Sequence, residues 1–457
     1  MAEHNVTVET MLKSLLDEKK YSSIKDILVT MNGADIASVF EEIDEERIPL
    51  LFRLLPTDLA AETFVEMDPE LQEMLIKGFS DKELREVIDE LYVDDAADLV
   101  EEMPSDVVKR ILAQADPQMR KEINEILKYP ENSAGSIMTT EFISLDPDLS
   151  ASEAIDCIRR DAVDRETVYT CYVTDDRKLV GVVTLKDLLV IKDDTIKINE
   201  IMEKNVISVH TNDDKEIIAR DLSRYNFLAM PVVDNLDRLV GIVTFDDAMD
   251  VIEDETTEDI EKMAAMLPSE KEYLRSNPFE LYKQRIPWLL LLMISATFTG
   301  LIINKYETAL AAQVVLTAFI PMLMDTSGNS GSQSSVSVIR ALALGGLEFS
   351  DLPAVIWKEI RTAALCGVTL AAACFIKIIL IDRLLLGNLA VTVTVALVVC
   401  FAMAVTVIIA KIIGCVLPMF AHKFGFDPAV MSSPFITTIV DALSLVVYFA
   451  FASRILF

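Results

Sequence analysis

After Pro287 the chain is dominated by apolar stretches long enough to cross a bilayer, and this feature limits its possible folds more than any other. Crossing ~30 Å of hydrocarbon takes ~20 helical residues. In lipid only segments that satisfy their own backbone hydrogen bonds are stable. The pattern predicts spans over 286–306, 309–340, 354–381, 388–417 and 428–456. With the amino terminus inside, five spans put the carboxyl terminus outside. Lys283, Arg285, Arg340, Lys358, Arg361 and Lys423 then flank the cytosolic face, against Lys305, Arg383 and Arg454 outside. That bias is the expected one.

Charge divides the chain in the same place. Residues 281–457 hold 8 acids and 11 bases. Out of totals of 73 and 41, this leaves 65 acids and 30 bases in residues 1–280, a net of −35. So acidic a portion repels nucleic acid and attracts cations. The first twenty residues lack a basic stretch followed by an apolar core, so this portion is expected to stay in the cytosol. Six cysteines without a CxxC and three histidines support neither a zinc site nor a disulfide framework.

Two polar features interrupt the apolar part. In ITTIVDALSLVVYF (436–449), Asp441 lies inside the last expected span. Ser433, Thr437, Asp441, Ser444 and Tyr448 are spaced to share one narrow helical face. An intramembrane acid is either hydrogen-bonded within the bundle or turned toward water or a cation. The second feature is residues 326–337, where nine of twelve residues are Ser, Thr, Asn or Gln and two are Gly. This run reads as a loop, as small-residue packing through Ser327, Gly331 and Ser335, or as the wall of a hydrated path. On the last reading Asn329, Gln333, Thr437 and Ser444 line the path, with Asp325 at its edge. Carboxylates, amides and hydroxyls are hard ligands suited to Mg²⁺, Ca²⁺ or Mn²⁺.

The acidic part has three segments. Residues 1–130 carry variants of one amphipathic helical unit, ADIASVFEEI (34–43), TDLAAETFVEM (57–67) and DDAADLVEEM (94–103), which predicts a short all-α solenoid. Next comes a repeat: KLVGVVTLKDL (178–188) recurs as RLVGIVTFDDA (238–248). It resembles a tandem pair of α/β CBS domains, over 131–200 and 201–252. That resemblance implies adenine-nucleotide binding through Thr184 and Asp187 and through Thr244 and Asp247. Last, residues 253–282 connect to the spans of 283–457, and seven acids fall between Asp250 and Glu261. Like charges within each helical turn repel, so divalent cations are expected to compact this region and bias a gate.

In its order of parts the whole chain resembles the MgtE family of magnesium channels. TTEDIEKM (256–263), SGNSGSQS (327–334) and FDPAVMSSPFITTIVDALSLVVYF (426–449) carry the likeness. It implies a multidomain plasma-membrane homodimer that transports Mg²⁺ and is gated by internal Mg²⁺, with ATP as a modulator. The pore ligands it implies are Asp441 and Asp427. The regulatory ligands are Asp94, Asp95, Asp98, Glu216, Asp247, Asp250, Glu255, Glu258 and Asp259. Asn226 stands where relatives carry an acid, which weakens any ligand site near Asp250. Other readings are a Mn²⁺ or Co²⁺ transporter modulated by adenine nucleotide, or a membrane-anchored adenylate sensor. No nucleophile–base pair, Gly-rich phosphate loop or catalytic histidine motif supports an enzyme.

Overall fold

The computed structural model describes residues 2–269, 273, 276–431 and 433–456. The chain divides into two units, Met1–Ile252 and Glu253–Phe457.

In the first unit, ten α-helices between Ala2 and Ile126 occur among the described residues. The three amphipathic repeats fall on Gly33–Glu41, Thr57–Val65 and α1 (Val93–Glu102). Prolines start these helices instead of breaking them. Pro49, Pro69 and Pro117 lie in the first turn, and Pro56 and Pro104 are N-caps. A missing N–H is harmless there, because the first-turn donors have no helical partner. The apolar faces merge into one core around Phe40, Ile48 and Phe64.

Each half of the repeat then forms a three-stranded sheet. β1 (Ser144–Leu145), α2 (Ala151–Asp161), β2 (Thr170–Asp175), β3 (Lys178–Thr184) and α3 (Leu185–Val190) make the first half. β4 (Val209–His210), α4 (Lys215–Tyr225), β5 (Ala229–Val233), β6 (Leu239–Thr244) and α5 (Phe245–Met263) make the second. The sheet orders are β1-β2-β3 and β4-β5-β6, with the first pair of each parallel and the second antiparallel. Gly181 and Gly241 explain why the repeat keeps a glycine here. A Cβ at Gly181 would collide with Met202, and one at Gly241 with Met138. The segment entering each half crosses the last strand of the other, through the bridges Val182–Glu203 and Thr139–Ile242. The two halves are therefore one module, sharing a core that includes Tyr172 and Ile242.

The second unit packs α6 (Pro278–Lys305), α7 (Ile320–Ala343), α8 (Leu352–Lys377), α9 (Val393–Lys423) and α10 (Ser433–Ile455). Among the described residues, four segments are helical, long and apolar enough to cross a membrane: α6, Phe349–Leu385 around α8, α9 and α10. The expected second span differs. Glu307–Ala312 and a 3-10 turn at Val314–Phe319 precede α7, which starts where Pro321 fits its first turn. At 24 residues α7 is long enough to span, but it is too polar to count with the other four. The last span starts at Ser433 and not at 428, because Asp427 caps a 3-10 turn over Pro428–Val430. The connector expected over 253–282 is helical only to Met263 and from Pro278 among the described residues.

Why a helix so polar sits in an apolar bundle follows from its two faces. Leu323, Ser327, Gly328, Gly331, Ser334, Ser335 and Val338 of α7 are buried. Small side chains let the backbones close up, and a Cβ on Gly414 of α9 would run into the Gly331 carbonyl oxygen. Asp325, Asn329, Gln333 and Ser337, four apart, are exposed along the opposite side.

Candidate ion-binding sites

In the second unit, α7 and α10 place a carboxylate beside that polar side. Asp441 is half-buried, and its Oδ1 is buried without a hydrogen-bond partner. Gly328 makes the approach possible: a Cβ there would lie 2.7 Å from Thr437 Cγ2 and 3.5 Å from Asp441 Oδ1. Ser332 Oγ lies 3.3 Å from Thr437 Oγ1, and Thr437 also donates to the Ser433 carbonyl at 2.7 Å. The single stripe expected on α10 splits in two. Thr437 and Asp441 stay half-buried. Ser444 is buried against Ser327, with 2.7 Å between hydroxyl oxygens, and Tyr448 donates to the Leu316 carbonyl at 3.0 Å. Ser444 therefore joins helices and does not line a path, a correction to the sequence reading. The cause is α7 packing over that end of the stripe. The loop reading of 326–337 falls as well, since these residues are helical and divide between packing and exposure.

Sequence reasoning missed a buried cation. Lys411 is 4% exposed in α9. Its Nζ donates to Ser334 Oγ at 3.3 Å and lies 4.0 Å from Glu359 Oε2, to which Ser334 donates at 2.6 Å. This triad joins α7, α8 and α9.

A second cluster lies where α5 ends. Lys262 Nζ bridges Glu258 at 2.6 Å and Asp427 at 2.7 Å. Burial and the charge of Asp427 raise the pKa of Asp259 beside them. Burial lowers Lys262, but its bonds to Asp427 and Glu258 outweigh that and leave it raised. The expected trio of Glu258, Asp259 and Asp427 is thus brought together around a lysine whose role was not anticipated.

The first unit holds the densest carboxylates. Ligand atoms of Asp94, Glu141 and Glu166 lie within 4.8 Å of one another. Asp94 is 7% exposed and its Oδ1 has no hydrogen-bond partner. Burial first, then Asp247, Asp95 and Glu166, hold Asp94 well above the usual carboxylate range. Burial and Asp247 push Asp95 and Asp98 up to about 7 and Glu166 up to about 8. Asp247 rises to about 6 through burial, against hydrogen bonds from Thr244 that pull it down. Glu141 and Glu166 gave no signal in the sequence; only the fold brings them to α1. Asp250 lies one turn along α5 from Asp247 and acts on it. Glu216, in the first turn of α4, is not among the main charges acting on Asp94, Asp95 or Asp98, and Glu255 lies farther along α5.

The Thr-x-x-Asp motifs do local work. Thr184 caps α3 and its hydroxyl donates to Asp187 at 2.5 Å, while the Asp187 N–H donates back at 3.1 Å. Thr244 and Asp247 pair likewise at the start of α5. A cleft of about 800 Å³ opens beside the first motif, lined by Tyr169, Thr184, Lys186, Asn205, Asn226 and Phe227. Asn226 caps α4 with φ 54°, a left-handed conformation that Asn tolerates better than most residues.

A CBS pair joined to an apolar helical unit that carries a half-buried acid defines a membrane transport protein. Family models match at 31–132 (MgtE intracellular N domain), 134–193 and 198–254 (CBS domain), and 320–451 (MgtE, divalent cation transporter). The chain is 34% identical over 449 residues to the magnesium transporter MgtE of Thermus thermophilus, covering 97% of this chain and 98% of that one. It is 31% identical over 441 residues to its Bacillus subtilis namesake, covering 96% and 95%. The crystal structure of the cytosolic domain of the Mg²⁺ channel MgtE in complex with ATP matches with a TM-score of 0.51 and 34% identity. That match covers 53% of this chain and 99% of the other. The chain belongs to the MgtE family of divalent cation transporters.

Proposed function

We propose that this protein is a Mg²⁺-selective channel of the plasma membrane, closed by internal Mg²⁺. The observation that carries the reading is the accessible polar side of α7 next to the unpartnered Oδ1 of Asp441. On the lipid side a carboxylate costs ~2.5–3.5 kcal/mol, so this side faces water. Two copies of the chain, meeting along α7 and α10, enclose a hydrated path on their two-fold axis. Five spans, with α7 as the second, put the acidic parts inside and the carboxyl terminus outside. The Asp441 pair holds an ion that keeps several waters, as Mg²⁺ does. Like charges facing each other resist ionisation, and a divalent cation removes that cost.

Regulation uses the remaining acids. Asp94, Asp95, Asp98 and Asp247, with Glu141 and Glu166, offer the oxygen ligands that Mg²⁺ takes. Asp250, Glu255 and Glu216 extend the set along α4 and α5. Ions bound there relieve the mutual repulsion and favour the state in which Glu258 and Asp259 stay near Asp427. The ~800 Å³ cleft at Thr184 supports adenine nucleotide as a modulator, as does the ATP complex of a relative's cytosolic domain. Asp247 serves the metal cluster. Transport, as opposed to enzymatic turnover or sensing alone, is tested by Mg²⁺ flux in vesicles. Asp441→Ala is expected to abolish uptake by a chain that still assembles; undiminished uptake refutes the reading.

A further inference from the structure

Asp325 has no place in that account. It is an exposed acid on α7, one turn from Gly328 toward the Ile320 end of the helix. Gly328 is the residue against which Asp441 packs. The two carboxylates thus flank Gly328, Asp325 one turn away along α7 and Asp441 from α10. Asn329 Nδ2 donates to Asp325 Oδ1 at 3.1 Å, which fixes the side chain but neutralises nothing. Among the described residues no Lys or Arg pairs with either acid. Asp325 also lies beyond the first turn of α7, so the helix dipole gives it little help.

A pair of unneutralised acids on an accessible polar side calls for a cation. The carboxylate, amide and hydroxyl oxygens that Asp325, Asp441, Asn329 and Thr437 carry are hard donors, which suit a divalent ion. Conduction also gains from a second acid along the path, because an ion must be held well enough to enter and loosely enough to leave. Resting on the conduction reading above, we infer that Asp325 is a second ion-binding carboxylate of the same path, and that it sets the affinity with which a divalent cation enters.

The test uses full-length protein in phosphatidylethanolamine–phosphatidylglycerol vesicles containing a Mg²⁺-sensitive dye, with external Mg²⁺ varied. Asp325→Asn and Asp325→Ser, which remove the charge with different side chains, are expected to raise the half-saturating Mg²⁺ about tenfold, equal to about 1.4 kcal/mol. Asp325→Glu, which keeps the charge, is expected to stay within about threefold of the parent. The inference is overturned if Asn and Ser also stay within that range, or if Glu shifts with them, which marks a packing role. Asp441→Asn separates the two claims. If it conducts like the parent, the conduction reading falls and takes this inference with it. If it is silent while Asp325→Asn keeps parental affinity, only the inference falls.

Discussion

Protons and Mg²⁺ should compete for the acidic cluster of the first unit, and the size of the effect follows from the structure. Asp95 and Asp98 are held at about 7 against an ordinary 3.8. Such a group binds more protons in the folded than in the unfolded chain. Its contribution is therefore favourable below pH ~4 and is lost as pH rises through the folded value near 7. For the half-buried Asp95, a displacement of about three pH units at ~1.4 kcal/mol each makes about 4 kcal/mol. Asp98 is exposed, so solvent screens its share and it adds little to this figure. Between pH 5.5 and 8 about 2 kcal/mol should be lost, or about 6 °C in the melting of a unit this large. Ions reverse the trend only where carboxylates are ionised. At pH 8, free Mg²⁺ at ten times its dissociation constant returns ~1.4 kcal/mol per site; at pH 5.5 protons occupy the site and the gain should be small. Thermal unfolding of the full-length protein, followed by circular dichroism and by protease resistance of residues 1–252, measures both. A melting point that climbs from pH 5.5 to 8, or a Mg²⁺ effect equal at the two pH values, refutes the reasoning.

Two further outcomes test the second unit. Lys411→Met leaves the half-buried Glu359 without its cation and should cost up to ~3 kcal/mol, whereas Lys411→Met with Glu359→Leu should recover most of it; thermal unfolding in detergent distinguishes the variants, and equal losses would rule out the ion pair. Lys262→Met removes a partly exposed bridge worth ~1 kcal/mol. It should raise the internal Mg²⁺ needed for half-closure about fivefold in vesicle flux, and an unchanged threshold would show that Lys262 does not hold the closed state.

Why some features were legible beforehand and others were not is clearest in single residues. Helix starts at Pro49, Pro69 and Pro117 and the sheets of the repeat depend on local stereochemistry and on periodicity within about twenty residues, so they can be read along the chain. The Thr184–Asp187 pair shows the limit of a motif, since its visible chemistry is a helix cap. Ser444 shows the limit of periodicity: spacing put it on the Asp441 face, and α7 buried it against Ser327. Lys411 and Glu359 stand 52 positions apart, and only helix packing pairs them.

By itself the sequence determined the division into an acidic part and an apolar part, the CBS repeat, and the kind of ion that oxygen ligands without thiolates or imidazoles select. These follow from composition and short-range order, which survive any arrangement in space. Tertiary structure alone decided which carboxylates come together: Glu141 and Glu166 with Asp94, and Asp427 with Glu258 through Lys262. Electrostatic energy depends on distance in space and on burial, and neither is written in the order of residues.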